Sequence, residues 1–273
     1  MRWLAYAPMV RAVEYVRRMR GGAQAHLFRC DDGAYYIVKF QNNPQHLRVL
    51  ANEMLGSLLA RRLGLPAPMT SVVEVSAELV ANTADLVIQL GAGRIPCKPG
   101  RQFGSQFPAH PAEVTAYDFL PDDQLADVEN LDAFAGMLVF DKWTCNTNGR
   151  QAVFLREPGQ SHFRAMMIDQ GFCFNAGDWN FPDAPLRGLY VRQKVYAHVR
   201  GLDSFEPFLE RTEKRMTREV LGEAAEQIPP EWYHFDIDAL EELLEKLYQR
   251  RGRIRELIVS ARDSSRQPFP NWK

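Results

Sequence analysis

The sequence has 273 residues, of which 46% are hydrophobic and 25% charged, and its formal net charge is -1. This composition is typical of a globular protein with one large domain or two smaller lobes, and the balanced charge gives no direct sign of a nucleic-acid or anionic-membrane partner. The longest apolar runs, such as residues 137–140, are far shorter than the roughly 20 residues that a bilayer demands.

The beginning of the chain, residues 1–11, contains neither a sustained apolar stretch nor a cleavage site, so we predict no signal peptide. The cysteines are scattered, without a CxxC spacing, at Cys30, Cys97, Cys145 and Cys173. This usage favours a reduced, cytoplasmic chain without a zinc or dithiol site.

The first predicted elements are three strands, at residues 12–18, 25–30 and 34–40. Gly21 and Gly22 lie between the first two, where glycines would let the backbone approach a phosphate closely. A plain hairpin is the alternative explanation of this glycine pair. Lys39 lies near the end of the third strand, where a buried lysine would need an anion. An edge lysine that extends to water is the alternative.

A helix is predicted next, because apolar residues recur at helical spacing: Leu47, Leu50, Met54, Leu55, Leu58 and Leu59. Gly64 and Pro66 end it. Glu53 lies at the margin of the predicted core face, from which it could reach Lys39. A solvated glutamate is the alternative.

The rest of the chain changes from strands to helices. A strand is predicted at 71–76, an irregular insertion at 81–113, a short strand at 113–121, a helix at 131–143, a buried strand and turn at 163–174, an ordered loop at 175–192 and a last helix at 238–261. This order predicts an α+β protein of two lobes, an N-lobe of residues 1–121 and a C-lobe of residues 122–273.

Two residue groups in the second half have more than one interpretation. The loop residues Trp179, Phe181, Arg187 and Tyr190 have the composition of an interface, although a packed loop is the alternative. The arginines Arg250, Arg251, Arg253 and Arg255 could bind an anion or a nucleic acid. A solvated helix face, balanced by Glu241, Glu242 and Glu245, is the favoured interpretation.

Asp169 follows a buried strand and precedes Gln-Gly, a position suited to holding a metal ion. A side-chain-capped turn is the alternative. The order of parts is more specific than any one of them. A glycine turn, a strand lysine, a helix glutamate, a polar loop and a strand-end aspartate follow one another as in protein-kinase-like phosphotransferases.

Five stretches carry a family resemblance: GGAQAHLFRCDDGAYYIVKFQNN, LANEMLGSLLARRLGLPAP, YDFLP, FDKWTCNTNGRQAVFL and IDQGFCF. They resemble the HipA-like kinases and, more distantly, the phosphatidylinositol 3- and 4-kinases. The resemblance implies a two-lobed protein-kinase-like fold, with an antiparallel sheet and a helix in the N-lobe, a mostly helical C-lobe, and ATP between them.

The resemblance also implies roles for individual residues. Lys39 would meet the α- and β-phosphates, Glu53 would orient Lys39, and Asp169 would bind Mg²⁺. Gly21 and Gly22 would cover the phosphates. The hinge that accepts the adenine would consist of Tyr117, Asp118, Phe119 and Leu120.

The catalytic loop departs from the family pattern Asn-x-Asp-x-(His or Arg)-x-x-Asn. Aligned from Asn146, the pattern places Asn148 at the catalytic acid, Arg150 at the basic position and Val153 at the metal-binding asparagine. An amide cannot accept the acceptor's proton, and valine cannot bind a metal. A second alignment pairs Asp141 with Asn146, but Asp141 then lies at the end of the predicted helix. We favour the first alignment, with a structural role for Asp141.

The predicted function is ATP-dependent phosphoryl transfer to a hydroxyl group of an unidentified protein or small molecule. Asp141, Asn146, Asn148 and Arg150 are the candidate catalytic residues. The alternative is a pseudokinase, a nucleotide-binding or protein-interaction module without efficient transfer. Neither a membrane nor a nucleic acid is an expected partner.

Overall fold

The computed structural model describes residues 9–273. The prediction about a signal peptide concerns mainly residues 1–8, which lie outside the described residues. The strands are β1 (Met9–Arg18), β2 (His26–Cys30), β3 (Tyr35–Lys39), β4 (Thr70–Val75), β5 (Val87–Leu90), β6 (Gly93–Pro96), β7 (Gly100–Gln106), β8 (Thr115–Tyr117), β9 (Gln151–Arg156) and β10 (Arg164–Ile168). The helices are α1 (Val49–Arg62), α2 (Ala77–Asn82), α3 (Ala133–Thr144), α4 (Glu206–Arg215), α5 (Arg218–Ala225), α6 (Ile237–Arg250) and α7 (Ile254–Arg262).

Five strands close a barrel in the order β1-β2-β3-β7-β4. The β1–β4 pair is parallel, and the other pairs are antiparallel. The prediction of an irregular insertion at 81–113 is therefore wrong, because β7 from this region is a central strand between β3 and β4. Its glycines resembled a loop signal, but a Cβ at Gly104 would collide with Val73 across the β4–β7 pair. Gly104 thus permits close strand packing.

The predicted first long helix is confirmed as α1. Its last residue is Arg62 and Leu63 is its C-cap, and Gly64 follows with the left-handed φ of +74° that favours glycine. Leu47, the first residue of the predicted helical spacing, precedes α1 and is 74% exposed. Glu53 is fully inside rather than at the margin, with 2% exposure. A carboxylate so deeply buried needs partners.

A second sheet has the order β10-β9-β8, with all pairs antiparallel. Residues 107–114 connect the barrel to β8, and Thr115 in β8 is opposite Arg156 in β9. This sheet therefore joins strands from both sides of residue 121. The antiparallel β9–β10 pair places Gln151 opposite Ile168, next to Asp169.

Helix α3 is buried along its whole length and lies in the larger core, which it shares with α1 and the helices that follow. Residues of the barrel strands, together with Leu86, Ile88 and Cys97 in and beside the β5–β6 pair, form a second, smaller core. The predicted helix at 238–261 is wrong in its continuity, because a 3₁₀ turn at Arg251–Arg253 separates α6 from α7. The α+β class is confirmed. None of the helices in residues 9–273 is long and apolar enough to cross a membrane.

Candidate active site

Three residues that the sequence singled out meet at one point. Lys39 at the end of β3 donates hydrogen bonds to Glu53 of α1 and to Asp169 just after β10. The distance from Lys39 Nζ to Asp169 Oδ1 is 2.7 Å. The side chain of Lys39 is only 9% exposed, so its charge depends on these two carboxylates. The predicted contact between Lys39 and Glu53 is present.

Glu53 also fixes the chain after Asp169. Its Oε2 accepts a hydrogen bond from the Gln170 amide at 3.0 Å, and its Oε1 accepts one from the Gly171 amide at 2.9 Å. Asp169 has a φ of +62°, in the left-handed region that non-glycine residues rarely adopt. The contact of Lys39 with the Asp169 side chain and the contacts of Glu53 with the next two amides hold this strained backbone in place.

Asn52 is a further anchor that the sequence reasoning missed. Its amide nitrogen lies within 2.9 Å of the carbonyl oxygens of Gly171, Cys173 and Ala176. Its Oδ1 accepts a hydrogen bond from Trp179 Nε1 at 2.8 Å. The available signal was its spacing, because Asn52 lies three residues before Leu55 and seven before Leu59 and so shares their predicted apolar face. Asn52 ties α1 to the whole turn that follows Asp169.

The Glu53 and Asp169 carboxylates both contact the Lys39 ammonium, and their pKa values shift in opposite directions. Burial is the main reason that the pKa of Glu53 is raised to about 7, and the nearby Asp169 charge adds to it against the opposing effect of Lys39. Burial would also raise the pKa of Asp169, but Lys39 outweighs it and the pKa is lowered. Burial would lower the pKa of Lys39, yet the two carboxylates raise it. At neutral pH Lys39 and Asp169 are ionised.

The raised pKa of Glu53 predicts a pH dependence of stability. A carboxyl group whose pKa is higher in the folded state stabilises it below the unfolded pKa and loses that contribution as pH rises through the folded pKa. We expect the free energy of unfolding of the wild type to fall, relative to Glu53→Gln, as pH rises from about 4.5 to about 7. Urea unfolding of both proteins across that range measures the difference. Parallel curves would contradict the raised pKa.

The candidate catalytic loop contains a second, separate ion pair. The Asp141 carboxylate accepts hydrogen bonds from Arg150, with Nε at 2.8 Å, and from Asn146 Nδ2 at 2.9 Å. The Asp141 and Arg150 side chains are 0% and 1% exposed. Arg150 Nη1 also donates to Ile168 O at 2.9 Å and to Gln170 Oε1 at 2.8 Å. Asp141 is enclosed, and its geometry is that of a loop anchor.

Among the described residues, no hydrogen bond joins Asp169 to the positions that either alignment gives to the acid and the metal-binding residue. Asn148 is exposed, and its side chain accepts a hydrogen bond from the Gly149 amide. Val153 lies within β9, opposite Met166. Gln151, the first residue of β9, contacts Asp169 instead, and its Nε2 lies 2.7 Å from Asp169 Oδ2. The sequence reasoning missed Gln151.

The Gly21-Gly22 turn is exposed, and Gly21 has a φ of +110° that favours glycine. A Cβ on either glycine would meet no atom within 4 Å. The base of the turn is fixed, because Asn43 Nδ2 donates to Ala23 O at 2.9 Å and Gln24 Oε1 accepts from the Gln89 amide at 2.7 Å. The turn thus has an open tip on an anchored base.

The connection that leaves the barrel comprises residues 107–114. The predicted hinge residues lie beyond it, starting with the last residue of β8. Tyr117 belongs to β8 and packs edge-on against Phe163 at 5.6 Å between ring centroids. Asp118 and Phe119 are exposed, whereas Leu120 is buried and its carbonyl accepts a hydrogen bond from Arg192. An adenine-binding role for residues 117–120 stays a prediction.

The aromatic loop at 175–192 is packed rather than presented as an interface. Trp179 is 3% exposed, and the Arg48 guanidinium lies 4.1 Å from its ring centroid. Phe181 lies under Arg250 at 4.3 Å. The structure therefore corresponds to the packed-loop alternative.

The basic cluster at the end of α6 is not a simple solvated face. Arg250 is buried and pairs with Asp183 at 2.6 Å. Arg255 pairs with Glu206 at 2.6 Å and also contacts Glu213. The favoured balance with Glu241, Glu242 and Glu245 is therefore wrong for Arg250 and Arg255, because acids from other elements pair with them.

The close packing around Gly188 predicts that one added methyl group lowers the stability of the fold. Its φ is +74°, and a Cβ there would collide with the Cβ of Asp141. We expect Gly188→Ala to lower the free energy of unfolding by about 2–3 kcal/mol. Gly222→Ala in α5 is the matched control, since its Cβ would meet no atom within 4 Å and alanine favours a helix. Urea unfolding compares them, and equal effects would contradict the close packing of Gly188 on α3.

A cavity of about 620 Å³ lies at the start of the 107–114 connection, between that connection, the α1–β4 loop and β10. Its lining includes Met69, Gln106, Pro108, Val114 and Phe163. Lys39, Glu53 and Asp169 do not line it. The assembled charges therefore define the candidate site, and this cavity is separate from it.

A lysine on a barrel strand, a glutamate on the next helix and an aspartate after a later strand form the charge arrangement of kinase-like phosphotransferases. The family comparison agrees with this class. The model of the family described as HipA-like kinase matches residues 12–256, and the chain belongs to this family. No curated protein sequence matches the chain significantly.

Solved kinase structures share the fold at low sequence identity. The Helicobacter pylori proinflammatory kinase CtkA is 14% identical, with 95% of this chain and 100% of that chain covered and a TM-score of 0.62. The Golgi casein kinase with Mn/ADP bound is 14% identical, with 95% and 74% covered and a TM-score of 0.50. HipA of the Shewanella oneidensis toxin–antitoxin complex is 12% identical, with 91% and 68% covered and a TM-score of 0.50.

Proposed function

We propose that the chain binds Mg²⁺ and ATP and transfers a phosphoryl group to a hydroxyl group of a protein or small molecule. The observation that carries this proposal is the contact of Lys39 with both Glu53 and Asp169. In kinases this ion pair and the metal-binding aspartate must both be in place for transfer. The family membership and the kinase-like neighbours support the same activity class.

The site residues fit the groups that the family implies. Mg²⁺ prefers oxygen ligands and keeps several waters, so it needs only one or two protein groups beside phosphate oxygens. Asp169 supplies a carboxylate, and rotation of the Gln151 amide would present a second oxygen beside it. Gln151 would thus replace the asparagine for which the family alignment finds Val153. Bound metal would neutralise charge that develops on the phosphates.

The remaining nucleotide contacts follow from the fold. Lys39 would hold phosphate oxygens, and the open tip at Gly21-Gly22 would cover them with backbone N–H groups. We propose that the barrel and α1 form the N-lobe and that residues after 121 form most of the C-lobe, with the nucleotide between them. The adenine would lie against the 107–120 connection, with residues 117–120 as the predicted contacts.

The candidate catalytic loop, next to which a phosphoryl acceptor would bind, supports a second candidate function. Asp141 is 0% exposed and bonded to Arg150 and Asn146, so it is not available to accept a proton. A nucleotide-binding pseudokinase is therefore the alternative. Loss of a general base typically slows a reaction by about 10²–10⁴-fold, and positioning with electrostatics can still sustain phosphoryl transfer.

Thermal unfolding with Mg²⁺ and ATP tests the proposal. Saturating ligand at about 100 times its Kd adds about 2.7 kcal/mol, or several degrees in Tm for a chain of this size. Lys39→Met should abolish the shift, whereas Lys214→Met at an exposed pair on α4 should retain it. No shift in the wild type would reject both candidates. A shift without transfer of labelled γ-phosphate to the chain itself or to any acceptor offered would favour the pseudokinase.

A further inference from the structure

The segment that borders the candidate loop, residues 182–189, has an unusual set of backbone contacts; we name it the wall segment. The Lys142 ammonium, on the last turn of α3, donates to the carbonyls of Pro185 at 2.7 Å, Arg187 at 2.8 Å and Ala184 at 3.4 Å. Lys142 is 4% exposed. Three carbonyl dipoles that converge on one point repel one another unless a cation lies between them.

A second buried cation holds the same segment from the other side. Arg250 of α6 binds both oxygens of Asp183, at 2.6 and 3.1 Å. It also donates to the carbonyls of Lys142 and Trp143, each at 3.0 Å. Arg250 therefore joins the end of α3 to the wall segment, and its guanidinium makes the paired contacts with a carboxylate that give geometric specificity.

The wall segment is hydrogen-bonded to the backbone of the candidate catalytic loop. The Gly188 amide donates to Asn148 O at 3.2 Å, and the Arg150 amide donates to Leu189 O at 3.2 Å. Any displacement of the wall segment therefore moves the backbone on both sides of Gly149. The loop that holds Asn148 takes its position from Lys142 and Arg250 as well as from Asp141.

We propose that Lys142 and Arg250 hold the wall segment in one conformation through unmodified side chains, and that Lys142 is a positioning residue for the acceptor side of the site. In many kinases the segment after the metal-binding aspartate is ordered only when a phosphorylated residue pairs with arginine. Here Asp183 supplies the anion for Arg250. The assignment to the acceptor rests on the proposed function, whereas the ordering of the segment does not.

The charge state of Lys142 agrees with this role. Burial lowers its pKa to about 8, and the nearby Asp141 and Asp183 charges oppose that effect. At neutral pH Lys142 therefore keeps its proton and all three N–H donors. A methionine at this position would have a similar length but would leave three carbonyls without a donor, which is unfavourable for buried backbone.

Amide hydrogen exchange on the full chain tests the ordering. In Lys142→Met and in Asp183→Asn, we expect the Gly188 and Arg150 amides to exchange at least about tenfold faster than in the wild type. The Met167 amide, bonded to Pro66 O at 2.8 Å in another region, should be unchanged. Lys214→Met, which removes an exposed pair, should match the wild type at all three amides.

Asp183→Asn is the decisive variant, because Asp183 lies outside α3 and its side chain is 21% exposed. If it folds and its Gly188 and Arg150 amides exchange within about twofold of the wild type, the proposal is overturned. If the chain turns over ATP, Asp183→Asn should lower kcat and keep KM for ATP within about twofold. A raised KM with unchanged kcat would overturn the positioning role. Absence of a thermal shift with Mg²⁺ and ATP would reject the proposed function and leave the exchange result intact.

Discussion

Replacing Asp169 by asparagine should abolish the thermal shift that Mg²⁺ and ATP produce and slow phosphoryl transfer by about 10³-fold. Stabilisation of transition-state charge by a metal is worth several kcal/mol, and each 1.36 kcal/mol is a factor of ten in rate. The variant should still fold, because Lys39 keeps its contact with Glu53 and the asparagine side chain has the same shape. Scanning calorimetry and a labelled-ATP assay measure the two effects.

Metal-free nucleotide gives an internal check on the same variant. Asp169 is ionised next to the expected phosphates, so its removal takes away a repelling charge. ATP in the presence of a chelator should therefore bind Asp169→Asn at least as tightly as the wild type. The matched control is Asp263→Asn, which replaces an exposed acid at the end of α7. It should match the wild type both with Mg²⁺ and ATP and with ATP and a chelator. A full Mg²⁺-dependent shift in Asp169→Asn would exclude Asp169 as the metal ligand.

The sequence was sufficient to identify those site residues that short stretches of neighbouring residues mark. Lys39 at a strand end, Glu53 on the following helix and Asp169 after a buried strand each follow from short periodic patterns, and their order indicated a shared site. The structure brings the three together, because Lys39 at the end of β3 contacts both Glu53 of α1 and Asp169 just after β10. A correct order of elements was enough to predict this contact, even though β7 was not predicted.

Contacts that depend on pairing register could not be predicted in the same way. Gln151 reaches Asp169 because the β9–β10 register places it opposite Ile168, and the turn between the two strands sets that register. The sequence pattern alone aligned the loop with the family motif and placed Val153 at the metal. In the structure the end of that alignment, residues 151–153, belongs to β9.

Glycine was the other source of error. The glycines of the 81–113 region suggested a loop. Gly104, however, lies in the central strand β7, where the Val73 side chain leaves no room for a Cβ. A glycine that permits close packing and a glycine that makes a turn look alike in one sequence. Only the positions of the neighbouring strands distinguish them. The basic residue Arg250 was misassigned for a similar reason, since its partner Asp183 lies far away along the chain.

Asp141→Asn is expected to have the largest effect on stability, a loss of about 3–5 kcal/mol in the free energy of unfolding. Removal of the charge leaves Arg150 with an uncompensated positive charge at 1% exposure. In the wild type burial would lower the pKa of Arg150, but Asp141 outweighs it and raises the pKa, and the variant loses that contribution. An arginine side chain nevertheless stays protonated in proteins, so the guanidinium does not relieve the unfavourable charge by losing its proton. Urea unfolding measures the loss. Glu210→Gln at the exposed pair on α4 should change stability by less than about 0.5 kcal/mol.

A double-mutant cycle with Arg150→Met separates a structural from a catalytic role of Asp141. If the pair is structural, the double variant Asp141→Asn/Arg150→Met should recover part of the stability, because the buried charge is gone. Arg150 also contacts Ile168 and Gln170, so full recovery is not expected. A general base would give the opposite pattern, with unchanged stability and turnover reduced about 10²–10⁴-fold in Asp141→Asn. That result would require the enclosed carboxylate to become accessible when substrate binds, and it would return Asp141 to the catalytic machinery.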